Sequence, residues 1–231
     1  MAIPCYLAMA EEEIARCTSL PEKMAWLSCR FSRTDRGIDH LPPSLPAGSL
    51  IVLDDSLPPA GHDPARILRQ LDGIPGKSAV LLDFQRPALE ENRRIARALA
   101  EGLSCPVCIS ELYADNLRCP VFLSPVPPEQ PLAQHLSPWA GREIWLDAAM
   151  NAAAVTVTAD GSRFEPAEPP KDPSGAHREE TLHCHYTIDL QPDVIRFTLF
   201  RTRADLDALL AEAARLGVRC AVGLYQQLSG T

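Results

Sequence analysis

The sequence predicts an α/β chain folded as a degenerate (β/α)8 barrel of the TIM type, with some helices missing and a small antiparallel β insert. Three observations carry this reading. Eight apolar runs of about five to seven residues recur along 231 residues with turn signals between them. The runs are continuously apolar rather than alternating, which is the pattern of strands covered on both faces, as in a parallel sheet. Amphipathic segments with helix caps stand between several of them, where parallel strands need crossovers.

Taken in order, the first run is IPCYLAM (3–9), followed by a weak helical segment over Ala10–Ser19, and the second is AWLSCRF (25–31). Residues 32–48 hold Pro42, Pro43 and Pro46 and have no helical pattern, so one crossover lacks its helix. LIVLD (50–54) leads to a helix announced by the cap Asp63 with Pro64 at the first helical position, striped by Ile67, Leu68 and Leu71 and stopped by Gly73. AVLLDF (79–84) precedes a second helix that starts after Pro87, carries Ile95, Ala96 and Leu99, and ends at Gly102. Only about nine residues then separate VCISE (107–111) from VFLS (121–124), fewer than the dozen a helical crossover uses. EIWLD (143–147) is the seventh strand. The last helix has Thr202 and Asp205 as a capping box, an apolar face of Leu206, Leu209, Leu210, Ala213 and Leu216, and Gly217 after it; CAVGLYQ (220–226) closes the series.

Residues 148–203 break the rhythm. VTVTADGSRFEP alternates around Asp160-Gly161, and LHCHYTID with VIRFTLF flanks Gln191-Pro192-Asp193, so both read as antiparallel hairpins. The proline-rich polar stretch 165–181 between them reads as a loose, disordered-like loop. The resulting division is a barrel from 1–147 and 204–231 and an insert over 148–203. An alternative register makes VIRFTLF the seventh barrel strand and moves EIWLD into the insert. Without the insert, about 22 residues remain per repeat, against about 250 in all for an ordinary barrel, so the barrel is a trimmed one.

Composition limits the function. Of the 231 residues 22 are proline, which excludes an all-helical chain, and 46% are hydrophobic, which supplies a core. A formal charge of -8 without a Lys/Arg cluster argues against nucleic acid, and no apolar run approaches the roughly 20 residues of a spanning helix, which argues against a membrane. The start MAIPCYLAMAEEE lacks the basic region of a signal peptide, so the expected location is cytoplasmic. The eight cysteines, irregularly spaced and mostly in apolar runs, read as reduced core thiols.

Functional residues of such barrels gather at the C-terminal ends of the strands. That rule collects Arg30, Ser32 and Arg33 after strand two, Asp54 and Asp55 after three, Asp83, Gln85 and Arg86 after four, Glu111 and Tyr113 after five, Ser124 after six, Asp147 after seven, and Tyr225, Gln226 and Gln227 after eight. Cys105 and Cys108 form a CxxC, but the strand that continues from them sends their sulfurs to opposite faces. His183 and His185 share a strand face and could present two metal ligands with Asp189 or His177, or be plain surface histidines. No nucleotide, phosphate-loop or nucleophile-elbow motif occurs, and neither a metal nor a cofactor is expected.

In VLLDFQRP the two-residue period puts Leu81, Asp83 and Gln85 on one face. This segment resembles the fourth-strand signature of the family 18 glycoside hydrolases, the chitinase-like barrels, whose motif ends D-x-E and whose barrel also carries an antiparallel insert after strand seven. The resemblance implies a saccharide ligand and places the family's general acid on Gln85, an amide with no ionisable proton to give. A relocated catalytic pair is then Asp83 with Glu111, at the ends of adjacent strands about 5 Å apart, which is the carboxylate spacing of a retaining glycosidase. The other reading pairs each acid with an arginine such as Arg30, Arg33, Arg86 or Arg118. Two functions follow: a glycoside-hydrolase-like barrel that binds or hydrolyses a saccharide, with Gln85, Arg86, Arg30, Asp54, Asp147, Tyr113, Tyr225 and Gln226 as its contacts, or a non-enzymatic scaffold that homodimerises through the insert sheet.

Overall fold

The structure is a computed structural model that describes residues 3–57, 61–87 and 89–229. Pro58 and Pro59 at the third strand's exit lie outside the described residues. The chain divides into two compact units, a barrel unit of residues 4–124, 141–147 and 219–231 and a second unit comprising chiefly 125–140 and 148–218.

The barrel unit contains β1 (Cys5–Met9), α1 (Glu11–Ile14), β2 (Met24–Phe31), β3 (Ile38–Asp39), β4 (Ser49–Asp54), α2 (Pro64–Asp72), β5 (Lys77–Asp83), α3 (Glu90–Gly102), β6 (Val107–Ser110) and β7 (Val121–Leu123). After the excursion of α4 (Leu132–Leu136) it resumes with β8 (Ile144–Asp147). The second unit then supplies β9 (Ala152–Thr158), β10 (Gly161–Pro166), β11 (His177–Glu179), β12 (Cys184–Gln191), β13 (Val194–Phe200) and α5 (Arg203–Arg215), before β14 (Cys220–Leu224) and α6 (Tyr225–Leu228) end the barrel.

Eight strands pair in parallel in the order β1-β14-β8-β7-β6-β5-β4-β2, and β1 pairs again with β2, so the sheet closes on itself. All eight apolar runs are barrel strands, and the short β3 adds an antiparallel flap to β2. The seventh strand is β8, since β13 pairs antiparallel with β9 and β12; the alternative register is excluded. The last strand stops at Leu224, two residues earlier than the sequence suggests, so that Tyr225 and Gln226 open α6.

Caps behave as their chemistry requires. Asp63 accepts a hydrogen bond from the Ala65 amide at the start of α2, and Thr202 and Asp205 form the reciprocal box that starts α5. Gly217, with φ +86°, takes the left-handed conformation just past the C-terminus of α5. The weak segment after β1 is helical for one turn only, and residues 32–48 form no helix; between β6 and β7 there is only a 3-10 turn, Glu111–Tyr113.

The barrel interior is built from alternate residues of the strands, among them Ala8, Leu50, Val52, Ala79, Leu81, Phe122 and Trp145, all buried. The same alternation carried upward along three strands reaches Asp54, Asp83 and Asp147. Three carboxyl groups therefore cap the apolar interior.

In the second unit the sheet order is β10-β9-β13-β12-β11. Within residues 165–181, read as a loop, β10 runs to Pro166 and β11 pairs with β12, leaving 167–176 as the connection. The boundary at residue 203/204 assigns α5 to the barrel, whereas in the structure α5 groups with the insert, because its acids Asp205 and Glu212 bind histidines of that sheet. Register places Phe164, Val155, Phe197 and Ile188 in one row across the sheet, and Ser162, Val157, Ile195 and Leu190 in another on the same face. The intervening rows, on the opposite face, are Arg163, Thr156, Arg196, Asp189 and Glu165, Ala154, Thr198, Thr187.

Candidate functional site

At the C-terminal end of the barrel, Asp54 and Asp83 are direct register partners on β4 and β5, and Arg30 is the partner of Asp54 on β2. Arg30 does not turn to these acids. Its guanidinium donates to His40 Nε2 at 2.9 Å, on the β3 side. Arg86 is likewise committed elsewhere, donating to the carbonyls of Asp55 (2.7 Å) and Ser56 (2.5 Å). Among the described residues no Lys, Arg or His nitrogen lies within 4 Å of the Asp54, Asp83 or Asp147 carboxylates. The arginine-paired reading of the mouth therefore does not hold for Arg30 and Arg86.

Burial without a cation has the expected electrostatic consequence. Asp147 is pushed up from the usual 3.8 to about 7, first by burial and then by the charge of Asp83. Asp83 is also raised, again by burial first; the amide of Gln85, which donates to it, pulls the other way, and the charges of Asp54 and Asp55 add to the rise. Near neutral pH Asp147 can thus donate a hydrogen bond as well as accept one.

Asp55 is the organiser beneath them. It is 2% exposed, and its carboxylate accepts from the backbone amides of Gln85 (2.9 Å) and Arg86 (3.1 Å) and from Asn92 Nδ2 (2.8 Å). Those bonds fix the backbone just past Asp83 and so aim the exposed Gln85 side chain back at Asp83. Sequence position alone ranked Asp55 with its neighbours; its turn toward α3, opposite to that of Asp54, follows from the two-residue period.

Tyr113 is not at the mouth surface. It is 3% exposed, packs edge-on against Phe84, and its hydroxyl bridges the Leu89 amide, Asn92 and the carbonyls of Arg86 and Pro87, which makes it a buried strut of the β5–α3 loop. Glu111 falls in the 3-10 turn one residue beyond β6, and its carboxylate accepts from both the amide and hydroxyl of Ser124. Continuing the β5–β6 register puts Ser110, not Glu111, beside Asp83. Tyr225 is linked to the Cys17 thiol, which pushes its phenol up, and Gln226 is exposed on α6.

The remaining candidates resolve into structure. Cys108 is fully buried in the barrel interior, and burial raises its thiol far from thiolate formation. His183 and His185 pair with Glu212 (2.5 Å) and Asp205 (2.7 Å) of α5. His177 packs on Tyr186, and Asp189 accepts from Gln191. The residue that sequence reasoning missed is Arg201: 3% exposed, it donates to the carbonyls of Val126, Pro127, Leu182 and His183 and to the Asn151 side chain. An arginine directly after an apolar strand run was its only visible signal.

No protein-family model and no curated protein sequence matches this chain. Solved structures do share its fold. The spore cortex-lytic enzyme SleL of Bacillus megaterium QM B1551 superposes with a TM-score of 0.56 at 9% identity over 96% of this chain and 70% of its own. A glutamate-to-glutamine mutant of the class V chitinase of Nicotiana tobaccum, solved in complex with NAG4, gives 0.58 at 10% identity over 96% and 93% of the two chains. The chitinase of Chromobacterium violaceum ATCC 12472 gives 0.50 at 9% over 98% and 95%. At these identities the likeness establishes the architecture, a TIM-type α/β barrel, and leaves the chemistry to the residues.

Proposed function

We propose that the barrel mouth binds a saccharide through Asp54, Asp83, Gln85 and Asp147, and that it does not cleave it by the acid catalysis of the chitinase-like barrels. The observation that carries this reading is the pair of uncompensated carboxyl groups Asp83 and Asp147 capping the barrel interior, with an amide at Gln85. Sugar hydroxyls both donate and accept, so a mouth in which Asp147 can hold a proton, with the Asp83 carboxyl and a carboxamide beside it, complements them. An arginine-lined mouth would instead select an anion, and here Arg30 and Arg86 are tied to protein groups. The tobacco chitinase neighbour was solved with NAG4, which makes an N-acetylglucosamine tetramer the first ligand to try.

Cleavage needs a group that gives a proton to the leaving oxygen. At the position of that acid in the chitinase-like barrels Gln85 has none; Asp147, which can hold a proton near neutral pH, stands three strands away on β8, and Glu111, accepting from Ser124 beyond the register partner of Asp83, is the weaker half of a relocated pair. Titration calorimetry with the NAG tetramer tests the reading. Binding to the wild-type chain is expected, weakened about tenfold by Asp83→Asn, which loses one acceptor and corresponds to about 1.4 kcal/mol. Absence of binding by the NAG tetramer and by other neutral oligosaccharides refutes the saccharide reading; turnover of the tetramer by the wild-type chain refutes its non-catalytic half.

A further inference from the structure

We infer that the apolar face of the five-stranded insert sheet is the contact between two copies of this chain. Antiparallel sheets ordinarily bury one face and solvate the other. Here the outer rows divide cleanly by chemistry, but the apolar side is uncovered. Seven of the eight side chains in the two rows that contain Phe164 and Leu190 are apolar, and Phe164 is 54% exposed, Ile188 44%, Leu190 72% and Ile195 39%. The opposite rows carry three of their four ion-pairing or charged groups, Arg163, Glu165 and Arg196, joined to one another in water. At Arg163 and Arg196 that side is thus solvated and charge-paired. Leaving the other side wet exposes a contiguous patch of the kind that marks a protein contact.

Charge and size select a second copy as the occupant. The chain carries a net charge of -8, so like copies repel over most of their surface. Neither apolar row contains a charged residue, which makes this face one on which two copies meet without like-charge opposition. A pleated sheet face is also complementary to itself under a two-fold rotation, stacking at about 10 Å with interdigitated side chains. The two rows cross four strands about 4.8 Å apart and span three residues, and their side chains, more than a third exposed at Phe164, Ile188, Leu190 and Ile195, present on the order of 400 Å² of accessible surface. Two copies then bury on the order of 800 Å² from the patches alone, and rim contacts bring the pair to the low end of specific interfaces, about 1,200 Å². Such an area suits a reversible, concentration-dependent dimer.

Sedimentation velocity of the full chain across a concentration series from about 1 to 500 μM measures this directly. The expected result is a shift from the 25.3 kDa monomer to twice that mass, with the dissociation constant raised at least tenfold by Leu190→Lys and by Phe164→Lys and unchanged by Thr156→Lys on the opposite face. Circular dichroism of each variant checks folding, and Leu190→Asn repeats the measurement without a new charge should a lysine variant fail to fold. A wild-type chain that stays monomeric through the series overturns the inference. So does a dimer whose dissociation constant is indifferent to the substitutions at 164 and 190. Neither outcome bears on the saccharide reading, which depends on the barrel mouth alone.

Discussion

A half-buried aspartate and a fully buried one in this chain meet opposite fates. Asp147, on top of the barrel interior, has no cation within reach among the described residues and is raised to about 7. Asp205, in the first turn of α5, is 1% exposed, yet its carboxyl is held below the usual range. Burial pushes Asp205 upward as well, but hydrogen bonds from the Thr202 hydroxyl and amide and from His185 outweigh it. The difference teaches that burial alone does not set a carboxyl's role here. Where the fold supplies donors, the acid is structural; where it withholds them, the acid retains unused hydrogen-bonding capacity and an available proton.

The comparison breaks most visibly at Asp205. Replacing it by alanine removes the carboxylate half of the capping box, strands His185 and leaves Arg178, 3.8 Å away, without this partner. A loss of about 3 kcal/mol at neutral pH is expected, or about 6–12 °C in melting temperature for a chain of this size, read by thermal unfolding. A loss below about 1 kcal/mol would show that the network is decorative.

Asp147→Asn probes the other side, and its sign is reversed. The unfolded chain sheds this proton near pH 4 and the folded chain keeps it to about 7, so the fold is favoured at low pH and loses stability as pH rises between those values. Asparagine mimics the protonated form at every pH. The variant is therefore expected to gain up to about 4 kcal/mol over wild type at pH 8 and nothing near pH 4, measured by denaturant unfolding at both. Asp205 contributes in the opposite sense, its stabilisation being present above its unfolded value and lost as pH falls through its lowered folded one. Equal stability of Asp147→Asn and wild type at pH 8 would remove the contrast between the two aspartates.

The smallest effect is expected at Arg30. Among the described residues its exposed guanidinium hydrogen-bonds to His40 alone, so Arg30→Ala should change stability by less than about 0.5 kcal/mol and leave saccharide affinity within about twofold. A tenfold loss of affinity would return Arg30 to the mouth.

These contrasts also separate what the sequence discloses from what it conceals. Strand and helix positions were legible because local chemistry specifies them: apolar runs for β4 and β5, the Asp63-Pro64 start of α2, the Thr202–Asp205 box of α5. The two-residue period likewise places Asp83 on the barrel's inner face. Partner choice was not legible, because it depends on residues brought together from distant strands. Tyr113 lies at a strand exit in the sequence but inserts under the β5–α3 loop, and Arg86 turns from the mouth to the carbonyls of residues thirty positions earlier. Glu111 misses the place beside Asp83 by one residue, since β6 ends at Ser110. Asp147 was collected with the other strand-end residues, but only its neighbours reveal that no cation among the described residues offsets its charge.

The most direct measurement is the carboxyl titration of Asp147, followed by its carbon-13 side-chain signal in NMR from pH 3 to 9. A midpoint near 7 that falls in Asp83→Asn, where the neighbouring charge is gone, is the result expected of an unpartnered acid pair at the mouth. A midpoint near 4, insensitive to Asp83→Asn, would mean that Asp147 is as well served by its surroundings as Asp205, and would contradict the proposed binding mouth.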